Sequence, residues 1–141
     1  MNADEVADKV ARAMLAAEGT GPAWGVEIDE AREGYSRIRM TVRADMLNGH
    51  RRAHGGMIYA LADTAFAYAC NSRNLASVGA QATMVFLDAA GEGDVLIAEA
   101  QEAALVGRSG VYNVSVRTAD GRSIAEFQGF SRSIGGEFVE L

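Results

Sequence analysis

Fourteen residues, Met57 to Cys70, constrain this chain more than any others. They read M-I-Y-A-L-A-D-T-A-F-A-Y-A-C, with no Gly, no Pro and five Ala. That composition predicts a helix. Apolar residues fall on every side of it, and a helix apolar all round is expected to be buried. Asp63 therefore places a carboxylate midway along what should be the most buried helix. An unpaired buried charge costs several kcal/mol, roughly, and needs a partner or a purpose. Asp63 is either a satisfied buried polar group or a catalyst, as general base or nucleophile.

The residues before the helix add chemistry. Asn48 to Gly56 reads N-G-H-R-R-A-H-G-G. Gly55-Gly56 is a plain turn, or else the start of a helix that offers free N–H groups to an incoming oxygen. The second reading makes an oxyanion hole without a side chain. His54 and Asn48 could each position an acyl carbonyl or a water, or simply bond within the loop. Thr64 reads as structural, and Cys70 as a small core residue. Tyr59, Phe66 and Tyr68 suit a core or the wall of an acyl pocket. No Gly-rich phosphate loop and no metal-ligand spacing occurs.

Gly55 and Asp63 are eight residues apart, roughly 12 Å along one helix. One carbonyl cannot touch both, since catalytic contacts span about 3 Å. Either one acts alone, or two copies of the chain each supply one. Antiparallel helices across a two-fold axis would achieve the second arrangement.

The rest of the chain supplies a frame. Asp4 to Ala17 reads as a peripheral helix within residues 1–20, with Val6, Val10, Ala13, Met14 and Ala17 on one face. Trp24, Val26 and Ile28 alternate as a strand. Ile38, Met40 and Val42 form a second, paired through a turn at Arg32–Gly34. Four more strands are expected at 76–87, 94–105, 110–118 and 123–133, separated by Gly-containing turns. One α+β domain over 1–141 satisfies this order, as an antiparallel sheet wrapped around one helix.

Composition narrows the partners. A net charge of -6 argues against general nucleic-acid binding and against an anionic membrane surface. All but one of the 13 basic residues are Arg, whose fork suits phosphate. One Cys allows no internal disulfide. No apolar run nears the ~20 residues of a membrane span, and residues 1–18 do not read as a targeting peptide. A cytoplasmic location is the default expectation.

The run Asn48 to Asn71 closely resembles the phenylacetic-acid-pathway thioesterases of the hotdog superfamily. Gly110-Val111-Tyr112 and Ser131–Gly136 extend the resemblance, which covers about Trp24 to Gly136. It implies a hotdog fold, a six-stranded antiparallel sheet around one long helix. It implies dimers with shared active sites that pair into a homotetramer, and no metal or separate cofactor. It implies hydrolysis of acyl-CoA thioesters, with phenylacetyl-CoA or hydroxyphenylacetyl-CoA as typical substrates. The family's acidic catalyst falls on Asp63. Its oxyanion amide falls on Gly55, preceded by His54, and its carbonyl- or water-binding Asn on Asn48. Gly56, Thr64 and Tyr59 then belong to the substrate site. Two departures stand out. Asp88-Ala89-Ala90 replaces a Pro that many relatives carry. Gly79 and Ala80 lack the hydroxyl with which some relatives orient water, so Thr83 or Gln81 is expected to substitute. Arg108 and Arg132 are the expected phosphate contacts, from charge and loop position. The rival readings are a hotdog hydratase or dehydratase, with His54 in its acid–base pair, and a non-catalytic acyl-CoA binder.

Overall fold

The helix that the sequence puts at the centre packs across one face of a single sheet. The computed structural model describes residues 1–141. Its elements run α1 (Ala3–Ala17), α2 (Thr20–Trp24), β1 (Glu27–Arg32), β2 (Tyr35–Thr41), a 3-10 turn (Ala44–Met46), α3 (Gly55–Cys70), β3 (Ser77–Phe86), β4 (Val95–Val106), β5 (Ser109–Thr118) and β6 (Ser123–Ser133). All neighbouring strands are antiparallel, in the order β1-β2-β4-β5-β6-β3. This is the hotdog architecture. No helix is long and apolar enough to cross a membrane.

Specific contacts seat α3. Leu61, Ala62, Ala65 and Ala69 are fully buried against the sheet. Ser36 Oγ of β2 donates to the Ala65 carbonyl at 2.6 Å. Phe66 lies against the sheet because two strand positions beside it are glycine. A Cβ at Gly129 would stand 2.8 Å from its ring, and one at Gly79 3.1 Å. Asn71 ends the helix and starts the next strand. Its Nδ2 donates to the Ala67 and Ser77 carbonyls at 2.9 and 3.1 Å, and its Oδ1 accepts from the Ser77 N–H at 2.9 Å.

Three expectations need correction. First, α3 is not buried all round. Gly56, Tyr59 and Asp63 form an exposed strip on it, because six strands cover only one side of the helix. Second, Trp24 is not in a strand. It ends α2, where Gly25 turns the chain through a left-handed conformation at φ 69, so the strand begins only at Glu27. Third, the inner face of α1 is Ala7, Val10 and Ala11, with Met14 partly buried beside the core, while Ala17 is exposed. Two alanines let α1 lie close to the core, and a reading weighted to larger residues passes over them.

The edge strand β3 departs from ordinary alternation. Ala82 and Met84 pack inward against the core. Val85, Phe86 and the following Leu87 are each more than half exposed, at 54%, 53% and 55%. The sheet thus ends in a strand with an unpaired backbone edge and an apolar side-chain cluster at one end.

Candidate active site

The loop before α3 is fixed by one side chain. Asn48 Oδ1 accepts from the N–H groups of His50 and Arg52, at 2.9 and 3.1 Å. The Asn48 N–H in turn donates to the Arg52 carbonyl at 2.7 Å. Arg51 takes the left-handed turn this requires, at φ 62. With Oδ1 occupied, the Asn48 amide presents its NH2, a donor.

His54 then caps the helix. Its Nδ1 accepts from the Gly56 N–H at 2.8 Å, and its carbonyl accepts from Met57 N–H at 2.9 Å. The Gly55 N–H alone in this turn has no acceptor within the chain. A Cβ at Gly55 would stand 3.3 Å from the Phe86 ring, and one at Gly56 2.9 Å from His54 Nδ1. Glycine at both positions keeps the approach open. Asn48, His50, Arg52, Gly55 and Phe86 line one cleft of about 450 Å³. Asn48 and Gly55 thus share one cleft.

Asp63 lies elsewhere on the same helix. It is open to water, yet desolvation by its surroundings raises its carboxyl above the usual carboxylate value. Water on one side does not undo the loss of water on the others. Asp63 borders two clefts. One, of about 370 Å³, runs between α3 and the α1–α2 pair and includes Thr64. The other, of about 230 Å³, is lined by Tyr59, Phe66 and Gly79–Ala82. The Thr64 hydroxyl donates back to the Ala60 carbonyl at 2.7 Å. Tyr59 stands edge-on to Phe127, with ring centroids 5.5 Å apart. Cys70 is buried, and its thiol is pushed up to about 12, first by burial and then by the Asp63 charge. That makes it a poor nucleophile.

The structure groups Gly55 with Asn48 and Arg52, and Asp63 with Thr64, Tyr59 and Gln81. None of the five main clefts of the chain contains both Gly55 and Asp63. Thr83 is exposed on β3, one residue out of step with the inward-facing Ala82 and Met84, so it turns away from α3. Arg108 lies in the β4–β5 turn and Arg132 on β6. Neither lines the Gly55 cleft.

Ion pairing separates the arginines. Eight of them, Arg12, Arg32, Arg37, Arg39, Arg43, Arg73, Arg117 and Arg122, pair with carboxylates. Arg51, Arg52, Arg108 and Arg132 do not. Sequence reasoning missed the first two. The signal was their place between His50 and His54, one turn of chain from the Gly55 amide.

A six-stranded antiparallel sheet over one long helix that begins at Gly55-Gly56 defines a protein of the hotdog type. The Thioesterase superfamily matches residues 50–125. The chain is 43% identical to the acyl-coenzyme A thioesterase PaaI of Escherichia coli K12, over 89% of this chain and 90% of that one. The structure of the E. coli PaaI protein from the phenylacetic acid degradation operon superposes with a TM-score of 0.94 at 40% identity. That superposition covers 96% of this chain and 99% of the other. A variant of the phenylacetic acid degradation protein PaaI from Thermus thermophilus gives 0.80 at 34% identity, over 83% and 100%. The chain belongs to the PaaI-type acyl-CoA thioesterases of the thioesterase superfamily.

Proposed function

We propose that the protein hydrolyses acyl-CoA thioesters, with phenylacetyl-CoA or a hydroxyphenylacetyl-CoA as substrate, in the cytoplasmic breakdown of aromatic acids. The observation that carries this reading is the Gly55 N–H, the first-turn amide of α3 without an acceptor, sharing a cleft with the Asn48 NH2. The two donors hold the thioester oxygen and the negative charge that develops on it. Asp63 is the general base, a role that its raised carboxyl favours. It takes a proton from water as the water oxygen bonds to the carbonyl carbon. The C–S bond then breaks, and the proton passes to the CoA sulfur.

The site needs two chains. Gly79–Ala82 borders Asp63, and Phe86 borders Gly55. Antiparallel pairing of β3 with a second copy, with the two-fold axis at Thr83 so that opposed residues share a face, sets Ala80 beside the copy's Phe86. That brings each Asp63 to the other protomer's Gly55. It also pairs the free edge of β3 and covers its apolar end. Such dimers pair further into tetramers. Pantetheine leaves along the Gly55 cleft toward Arg51 and Arg52, which have no carboxylate partner and hold the CoA phosphates.

A CoA-release assay over aryl-acetyl, short-chain and palmitoyl thioesters tests the reading. It predicts the highest kcat/KM for aryl-acetyl thioesters. A clear preference for palmitoyl-CoA, or binding of the whole series without turnover, contradicts it.

A further inference from the structure

The larger cleft beside Asp63 has a chemistry that thioester hydrolysis does not use. Its apolar walls are Met14 and Ala17 of α1, Ala67 of α3, and Phe138 near the C-terminus, with Asp63, Thr64 and Thr20 as polar lining. Glu18 interrupts them. The Tyr68 hydroxyl donates to one of its carboxylate oxygens, and Thr20 Oγ1 donates to the other at 3.1 Å. Tyr68 is itself 1% exposed, so the ring fixes that hydroxyl firmly. Gly21 makes room for the arrangement. A Cβ there would stand 3.3 Å from the Glu18 carboxylate and 2.3 Å from Leu15 Cδ1.

None of the ion pairs in the chain includes Glu18. Its partners are two hydroxyls, and a carboxylate has about four lone-pair sites. Acceptor capacity therefore remains, at the end of the cleft away from Asp63 and next to the apolar Met14 and Ala17. Tyr68 follows Asp63 by five residues, about 7.5 Å along the helix. That is close to the length of one benzyl unit with a ring substituent.

We propose that Glu18 is a specificity-determining residue, whose carboxylate accepts a hydrogen bond from a phenolic hydroxyl at the far end of the acyl group. The inference rests on the thioesterase reading and deepens it, since it chooses hydroxyphenylacetyl over phenylacetyl thioesters. The N-terminal helix pair is then part of the site. Met14 and Ala17 flank the ring, and Glu18 reads its hydroxyl.

The test compares 4-hydroxy-, 4-methoxy-, 4-fluoro- and unsubstituted phenylacetyl-CoA. A methoxy or fluoro group matches the position but cannot donate. The wild-type protein should prefer the hydroxyl compound at least about fivefold in kcat/KM, since a hydrogen bond to a charged group is worth more than a neutral one. In Glu18→Gln, the loss should fall at least about fivefold harder on the hydroxyl substrate than on the unsubstituted one. Equal wild-type rates for hydroxyl and methoxy substrates overturn the inference, as does a Glu18→Gln loss shared equally by all four. The wild-type comparison needs no variant to fold. Dissociation constants for the inert thioethers 4-hydroxyphenethyl-CoA and phenethyl-CoA separate this inference from the activity. Tighter wild-type binding of the hydroxyl thioether without turnover of any thioester supports Glu18 and overturns the proposed hydrolysis. Turnover with no hydroxyl preference in rate or binding does the reverse.

Discussion

His54 Nδ1 accepts from the Gly56 N–H at 2.8 Å, and this leaves the neighbouring Gly55 N–H as the free donor of the α3 start. The histidine caps the helix through Nδ1, which leaves its Nε2–H as a donor. His54→Ala should lower stability by about 1 kcal/mol, the usual cost of losing a cap. It should also lower kcat by loosening the oxyanion turn. His54→Asn restores an acceptor at the cap and should recover most of the melting temperature. A His54→Ala protein of unchanged stability would show that the cap does not matter.

Asp63 couples activity and stability in opposite directions. As the base, it must be ionised. Asp63→Asn should therefore lose at least ~100-fold in kcat. In the wild type, the acid limb of kcat/KM should lie above the ordinary carboxylate value of 3.8, because desolvation raises this group. The stability sign follows from the same shift. A raised folded pKa means that ionisation works against the fold. The penalty is absent below 3.8 and complete above the folded pKa. Asp63→Asn should therefore melt higher than wild type at neutral pH, with the gap closing as pH falls toward 3.8. Thermal melts across pH check this, and a gap that widens on acidification contradicts it.

Of the unpaired arginines, Arg52 lines the Gly55 cleft and Arg51 precedes it in the same loop. Arg51→Ala and Arg52→Ala should raise KM for an acyl-CoA about tenfold, as the loss of a charge-assisted bond implies. Neither should change KM for the matching N-acetylcysteamine thioester, which has no phosphates. Arg108→Ala and Arg132→Ala, outside the Gly55 cleft, should affect both substrates little. Equal effects of Arg52→Ala on the two substrates would rule out phosphate contact.

The β3 edge should be an interface. Val85→Lys places a charge in its apolar end, where Val85 is 54% exposed on the lone protomer. It should shift the protein toward monomer in sedimentation and abolish turnover, with helix content retained. An active Val85→Lys monomer would show that one chain suffices.

The sheet and the central helix were legible because their signals are local. Ile38, Met40 and Val42 alternate at the strand period, and Met57–Cys70 has no breaker. Gly55 and Asp63 stood out as candidates because glycine at a helix start and a carboxylate among alanines are each unusual. What was not legible depends on distance in space. Apolarity on all sides of α3 suggested complete burial, but a strip including Tyr59 and Asp63 stays open beside an unpaired strand edge. Arg51 and Arg52 stand out from the other arginines only once eight of those are seen in ion pairs. Glu18 gave no signal at all. Its partner Tyr68 is 50 residues away in sequence, and only the packing of α1 and α2 on α3 brings the two together.

The central claim is that each site takes Asp63 from one chain and the Gly55 amide from another. Asp63→Asn and Gly55→Pro each remove one part. Proline fits here. His54, before it, is already extended at φ -61 and ψ 134, and the first helical position tolerates proline. The crowding it adds is mild, 3.3 Å from the outer end of the Phe86 ring, and dimer assembly of Gly55→Pro is checked by sedimentation before mixing. Each homodimer should be inactive. Mixing equal amounts under subunit exchange, verified by a mass tag, makes about half the dimers mixed, each with one intact site. The account predicts that activity returns to about a quarter of wild type. Mixed dimers of folded variants that stay inactive would contradict it.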